Sequence, residues 1–360
     1  MYYMNHDAVD CFTADFTAKD SIVGGRHYPL GCFAAEALER IRFHTGDIRR
    51  RTAQFKEDFQ VFLAARETSS AAVAHHSLRE LWLELEKLPV YDLLLTGDRR
   101  AKALIPYLRR HLEETDDMLT PGTQRNAAYE KWIAKLDGLA AELDDFVRNT
   151  EWMLEEYFDK LRRRRVEHYA QAFGTYRHDI DAAMQYVEES GEEDLTVDLS
   201  SLQFKYPVNI SFVPSMDPET RKLTLAEQIT FESLVSFLYM DLYKGMAAGN
   251  LPRRCQRCRK WFLAVGGYNT MYCDRVVPGT GRKTCRDVGA HEKEKAENQK
   301  AARKEYYRIY NRLKARKQRG KISTDEWNRQ VVRAQELRAD FEKRNLSEEE
   351  MFKCSMNCNG

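Results

Sequence analysis

The chain has 360 residues, 43% of them hydrophobic and 31% charged, which predicts two or three domains rich in amphipathic helix. No apolar run reaches the roughly 20 residues of a membrane helix: the best candidate, 234–242, is interrupted by Ser236 and Asp241. The start of the chain lacks a basic segment followed by an apolar core, so neither a membrane nor an export signal is expected.

The formal net charge of +1 conceals an asymmetry. Residues 253–321 carry 21 Lys or Arg against six Asp or Glu, a net +15, leaving −14 for the remainder. A basic module on an acidic body attracts polyanions or the acidic face of another protein, although a well-solvated helix also accounts for such a run. Eight cysteines are too few for a disulfide scaffold in so long a chain, and a reducing cytoplasm is expected.

In chain order, residues 1–32 mix glycine, proline and scattered aromatics and read as irregular or short extended structure. Helical spacing begins at Phe33. Residues 34–44 and 48–66 are predicted helices, the second with Phe55, Phe59 and Phe62 on one face; Leu78, Leu81, Leu85 and Leu88 form another stripe. Residues 91–119 read as a helix or pair broken near Thr96-Gly97 and Pro106, followed by a turn at Pro121-Gly122.

Residues 124–173 predict one long helix or two in tandem. Trp132, Leu136, Leu139, Leu143 and Phe146 would form its buried stripe, continued by Trp152, Leu154, Tyr157 and Leu161. Arg162–Arg165 reads as a solvated turn facing Glu155, Glu156 and Asp159, with nucleic acid as the alternative. His75, His76 and His168 have no second ligand or orienting acid at recognisable spacing and read as ordinary surface or core histidines.

Near residue 190 the period changes. Leu202, Phe204, Tyr206, Val208, Ile210 and Phe212 alternate as in a strand, with Pro207 at an edge or bend and Pro214 and Pro218 ending the region. Thr224 and Glu227 have capping-box spacing, predicting a helix through Ile229, Leu234, Leu238 and Leu242. Gly245 and Gly249 weaken its far end, and Gly249-Asn250 closes it. The helix is apolar almost all round, so it is expected to be buried between the helical body and the cysteine-bearing module.

That module carries the clearest chemistry. Cys255-Gln-Arg-Cys258 is a two-thiol knuckle, and Cys273 and Cys285 supply two more thiols within thirty residues. Four thiolates suit a closed structural zinc site, with no open position for catalysis. Trp261 and Phe262 would give the module its apolar core, with Tyr272 on a second strand beside Cys273. After the Pro278–Gly281 turn, Cys285 heads a helix whose partial positive charge favours a thiolate. Arg253, Arg254, Arg257 and Arg286 are close enough in sequence to offset the site's −2 charge, and His291 is the nearest substitute ligand.

This pattern resembles CGNR-type zinc fingers of bacterial regulators. It is still more similar, over residues 222–347, to an uncharacterised bacterial family, domain of unknown function 6076. In the CGNR type the last two cysteines lie a few residues apart and precede Gly-Asn-Arg; here eleven residues separate Cys273 from Cys285, and Arg286-Asp287-Val288-Gly289 takes the motif's place. The resemblance implies zinc at the four cysteines.

Downstream, Ala302, Tyr306, Ile309 and Leu313 share one helical face, with Lys304, Arg308, Arg312 and Arg319 opposite. Gly320-Lys321 breaks the helix. Ser323 with Glu326 caps another bearing Trp327, Val331, Ala334 and Phe341, so an antiparallel pair is expected, with Tyr306 and Tyr310 packing. Cys354 and Cys358 read as free thiols, the alternative being a second site with Cys11 and Cys32.

The expectation is a mainly α protein with a helical N-terminal domain (1–190), a β segment and connecting helix (191–252), a zinc-ribbon or treble-clef-like module (253–291), a basic helical hairpin (292–345) and a tail. Its expected role is zinc-dependent binding of DNA or RNA through Lys304, Arg308, Arg312 and Arg319, or regulation. The alternative is a scaffold factor with an acidic protein partner, the zinc being purely structural. No catalytic residues, membrane contact or small-molecule substrate are inferred.

Overall fold

The structure, a computed structural model, describes residues 9, 11–95, 100–161, 163–190, 208–218, 220–266 and 270–342; of residues 100–102, 190, 297–302 and 341–342 it describes the backbone alone. The fold is mainly α. The chain divides into two compact units, residues 1–255 with 259–271, and residues 256–258 with 272–360.

The first unit combines helices with one five-stranded antiparallel sheet. Strands β1 (Phe12–Phe16), β2 (Asp20–Val23) and β3 (Arg26–Pro29) come from the N-terminal stretch, and β4 (Asn209–Met216) and β5 (Leu223–Phe231) from far along the chain; their order is β3-β2-β1-β5-β4. The extended reading of residues 1–32 therefore resolves into three strands, tied to β5 by the register Phe12 opposite Phe231. Leu202, Phe204, Tyr206 and Pro207 lie outside the described residues. Pro214 does not end β4: it pairs with Leu225 inside that strand, which the strand order puts at the sheet edge, where a missing N–H is tolerated.

The helices are α1 (Cys32–Arg40), α2 (Thr45–Ala65), α3 (Thr68–Leu85), α4 (Tyr91–Leu94), α5 (Arg100–Arg110), α6 (Glu113–Leu119), α7 (Gln124–Met153), α8 (Val166–Ser190) and α9 (Leu234–Ala247). The stripes read from helical spacing form the core. Phe55, Phe59, Phe62, Leu78, Leu81, Leu85 and Leu88 are buried, as are Trp132, Leu136, Leu139, Leu143 and Phe146 on α7. One π-type turn, Leu154–Phe158, follows α7, so residues 124–173 are two helices in tandem. Helix α5 runs through Pro106 rather than breaking there, while Thr96-Gly97 lies outside the described residues.

The capping-box reading of Thr224 and Glu227 is overturned. Both lie on β5, opposite Ser215 and Phe212 of β4, and α9 starts instead at Ser233, whose hydroxyl accepts from the Ser236 N–H at 3.1 Å. Nonlocal ladder pairing outcompetes a cap that the local sequence alone permits. Helix α9 is the unit's central apolar element: Leu234, Phe237, Leu238 and Leu242 are fully buried. Phe237 sits among Phe12, Phe16, Phe33 and Phe231 with ring centroids 5.3–5.9 Å away, so Phe237→Ala alone would cost about 3–5 kcal/mol. Gly245 does not merely weaken α9. A Cβ there would lie 2.8 Å from the Gly31 Cα, so the glycine lets α9 approach the start of α1 at backbone distance. Gly249, at φ 84°, closes the helix as expected.

The hairpin of β6 (Leu251–Arg254) and β7 (Trp261–Ala264) also belongs to the first unit. Trp261 is buried in the main core, its Nε1 donating to Glu151 and its backbone N–H to Glu39, both at 2.9 Å. Contrary to the expectation of a separate core for the metal module, it completes the core of the body. None of the described helices is long and apolar enough to cross a membrane.

The second unit is built on α10 (Cys285–Gln318) and α11 (Thr324–Glu342), which pack together through Ile309, Leu313, Ile322 and Ala334, flanked by Tyr306, Trp327 and Val331. Tyr306 and Tyr310 pack within this pair, Tyr310 against Trp327 at 6.0 Å. The Ser323 hydroxyl accepts from the Glu326 N–H at 3.1 Å and caps α11. The side chains of Ala302 and Phe341, and Cys354 and Cys358 entirely, lie outside the described residues.

Candidate metal centre

Cys255 and Cys258 lie in the connection between β6 and β7. The Cys255 N–H donates to the Lys260 carbonyl and the Arg259 N–H to the Cys255 carbonyl, both at 2.9 Å, which makes the connection a tight turn. Arg259 adopts φ 62°, the left-handed conformation that lets the chain reverse here.

Cys273 and Cys285 are joined by a second loop, closed by an isolated bridge between Val276 and Thr284. Gly279 and Gly281, both with positive φ, turn it. Two backbone bonds fix the ends: the Arg286 N–H donates to the Cys273 carbonyl at 3.0 Å and the Cys285 N–H to the Arg275 carbonyl at 2.9 Å. The expected second strand at Tyr272 is absent. Its ring lies instead on Gly289, where a Cβ would come within 2.6 Å of the ring carbons.

Cys285 is the first residue of α10, and Thr284 is its cap. The Thr284 hydroxyl accepts from the Asp287 N–H at 3.2 Å, while the Asp287 carboxylate accepts from the Thr284 N–H at 2.8 Å. These hydrogen bonds, to the Thr284 backbone and then its hydroxyl, hold the Asp287 carboxyl below its ordinary range. This box passed unread in the sequence, although Thr284-x-x-Asp287 displays the signal.

The four sulfurs lie within 4.8 Å of one another, and those of Cys258 and Cys273 are 3.6 Å apart. Cys255, Cys273 and Cys285 are buried, Cys258 half-buried, and none of the four is in a disulfide. A tetrahedral site with metal–sulfur bonds of about 2.3 Å has sulfur–sulfur edges of about 3.8 Å, so the donor set fits one metal ion, whereas disulfide sulfurs would lie about 2.05 Å apart. His291 is exposed and outside the group.

The neighbouring arginines have acidic partners. Arg254 pairs with Glu151 and Glu155 and stacks over Trp261, Arg257 pairs with Glu292 at 2.6 Å, and Arg286 pairs with Asp274 at 2.9 Å. Arg253 is buried and donates to the Thr270 carbonyl at 2.6 Å. On α10, Lys304, Arg308 and Arg312 are exposed, as is Arg319 at its C-cap, and Arg308 lies 3.5 Å from Glu305. The histidines of the helical body stay separate: His76 is exposed, His75 and His168 are half-buried, and none joins the cysteine group.

The Arg162–Arg165 run is not uniformly solvated. Arg162 is outside the described residues, Arg163 and Arg165 are exposed, and the Arg164 side chain is only 2% exposed. It occupies the break between α7 and α8, a burial that the run of like charges gave no reason to expect.

No curated protein and no solved structure matches the chain. The likeness to CGNR-type zinc fingers is not shown by these comparisons. Residues 203–359, which include all four clustered cysteines and both helices of the second unit, are similar to a family of unknown function (DUF6076).

Proposed function

We propose that this is a zinc-binding protein in which a closed four-cysteine site fixes the head of α10, and that α10 binds the phosphate backbone of DNA or RNA through Lys304, Arg308, Arg312 and Arg319. The observation that carries the reading is the convergence of Cys255, Cys258, Cys273 and Cys285, the last being the first residue of that helix. Zinc suits the set because four thiolates in tetrahedral reach select it over harder cations. No open coordination position remains for a substrate, so the metal's role is structural.

Metal analysis of the purified full chain should give one zinc per molecule, and Cys258→Ser should lose it and unfold the cysteine loops while most helical signal persists. A zinc content near zero under reducing conditions, or these cysteines recovered as disulfides, would falsify the metal assignment. Fluorescence anisotropy with a labelled DNA duplex and an RNA strand at low salt tests the second step. Binding that disappears with the metal supports it.

A second reading, an interaction or scaffold factor with structural zinc, is favoured by the β4–β5 hairpin. Ile210, Phe212, Met216, Leu223 and Leu225 are 49–77% exposed, and the ladder register puts them on one sheet face. A contiguous apolar face of this kind suits a protein partner. No binding to DNA or RNA at low salt would put this reading first.

A further inference from the structure

One face of the five-stranded sheet leaves its cover part of the way along. Ladder pairing puts Phe12 and Phe16 of β1 on the same face as Ile229 and Phe231 of β5, and sets Ile229 opposite Ile210 of β4. Helix α9 covers this face at its β1 side, where Phe237 meets Phe12, Phe16 and Phe231. Lys244, in the last turn of α9, pairs with Glu227 of β5 at 2.6 Å and marks where that cover ends. Beyond it the same face continues as Ile210, Phe212, Met216, Leu223 and Leu225, which are 49–77% exposed.

The reverse side of the hairpin is mostly polar, with Ser211 opposite Gln228 and Ser215 opposite Thr224. Such alternation is the pattern of a sheet with one side packed on a core and the other in water. Here the apolar side, continuous with the core of the body, is the one left open among the described residues. Taking roughly 200 Å² for each fully exposed residue, the five offer about 600 Å² per copy, most of the about 800 Å² that each partner contributes to a stable interface.

We propose that a second copy of the chain covers this face, the two β4–β5 hairpins stacking apolar side to apolar side across a two-fold axis. A two-fold interface needs a patch complementary to itself, and an apolar one is. The five residues carry no charge and no hydrogen-bonding side chain by which a foreign partner would be selected, and interfaces between identical subunits are the more apolar class. Stacking of faces is favoured over joining of edges because Pro214 lies within the edge strand β4, where proline discourages the addition of a further strand. The proposal rests on neither the metal nor nucleic acid.

Sedimentation of the full chain over a wide range of micromolar concentrations should show a dimer in equilibrium with monomer. Phe212→Ser/Leu225→Ser should weaken the dimer at least tenfold, with helical signal and zinc content unchanged, because both side chains are already exposed in the single chain. Hydroxyl-radical footprinting of the wild type needs no variant: Phe212 and Met216 should be protected at dimer concentrations and labelled on dilution. A monomer at every concentration overturns the proposal, with rapid labelling leaving the face to a foreign partner and constant protection meaning that the chain covers it itself. A dimer that the folded double variant keeps, or one that leaves Phe212 and Met216 freely labelled, overturns it as well. Zinc analysis of the same samples keeps these outcomes apart from failure of the metal site.

Discussion

Asp241 shows how one buried group organises a unit. On α9 it is fully buried, accepting from the Ser21 hydroxyl at 2.5 Å and from the backbone N–H groups of Gly31 and Ala34 at 3.0 Å. It thereby joins β2 and the first turn of α1 to α9. Burial, the largest influence, pushes its carboxyl up to about 6, against the pull of those hydrogen bonds. The unfolded value is the ordinary 3.8. The folded value is the higher one, so the associated stability is complete below about pH 4 and is lost as pH rises through 6, by about 3 kcal/mol. Asp241→Asn should destabilise the protein at every pH, because its amide turns a donor toward donors. The gap between wild type and variant in urea unfolding should also shrink from pH 4 to pH 7. A gap independent of pH would mean that Asp241 does not titrate as described.

At the scale of elements, the head of α10 depends on a contact without slack. Tyr272 precedes a cysteine of the cluster and rests on Gly289, one turn after another. Gly289→Ala would intrude on the ring by more than a flexible side-chain tip can absorb, and the displaced Tyr272 should carry Cys273 away from Cys285. Competition with a chromophoric chelator should show at least tenfold weaker zinc binding, with α10 still helical because Ala favours helix over Gly. Unchanged affinity would show that the loop adapts. The cysteines were legible because C-x2-C spacing is a local signal, and the stripes of α2, α3 and α7 because helical period is local too. Strands β1–β3 were legible only as extended chain, since each has four or five residues and β1 takes its partner β5 from over 200 positions away. The burial of Arg164 was hidden too, because nothing in four consecutive arginines says which one turns inward.

Over the whole molecule, residues 253–321 carry +15 against −14 elsewhere, and under the proposed function this stretch would attract polyanions without reading sequence. At 100° per residue, Lys304, Arg308 and Arg312 fall within an arc of about 80° on α10, a single exposed row, with Arg319 exposed just past the helix end. Such a row can neutralise about three or four phosphates without touching base edges, so binding to duplex DNA should discriminate little between sequences. The slope of log affinity against log salt should then lie near −3 to −4. Arg308→Ala/Arg312→Ala should flatten it by about two units and leave zinc content unchanged, although Arg308 already shares Glu305 and part of its effect is offset there. Cys258→Ser should instead abolish binding, because it releases the head of the helix and not the charges. If the double variant keeps the wild-type slope, the phosphates are held elsewhere on the chain. If Cys258→Ser binds as tightly as the wild type, the metal does not serve to position α10.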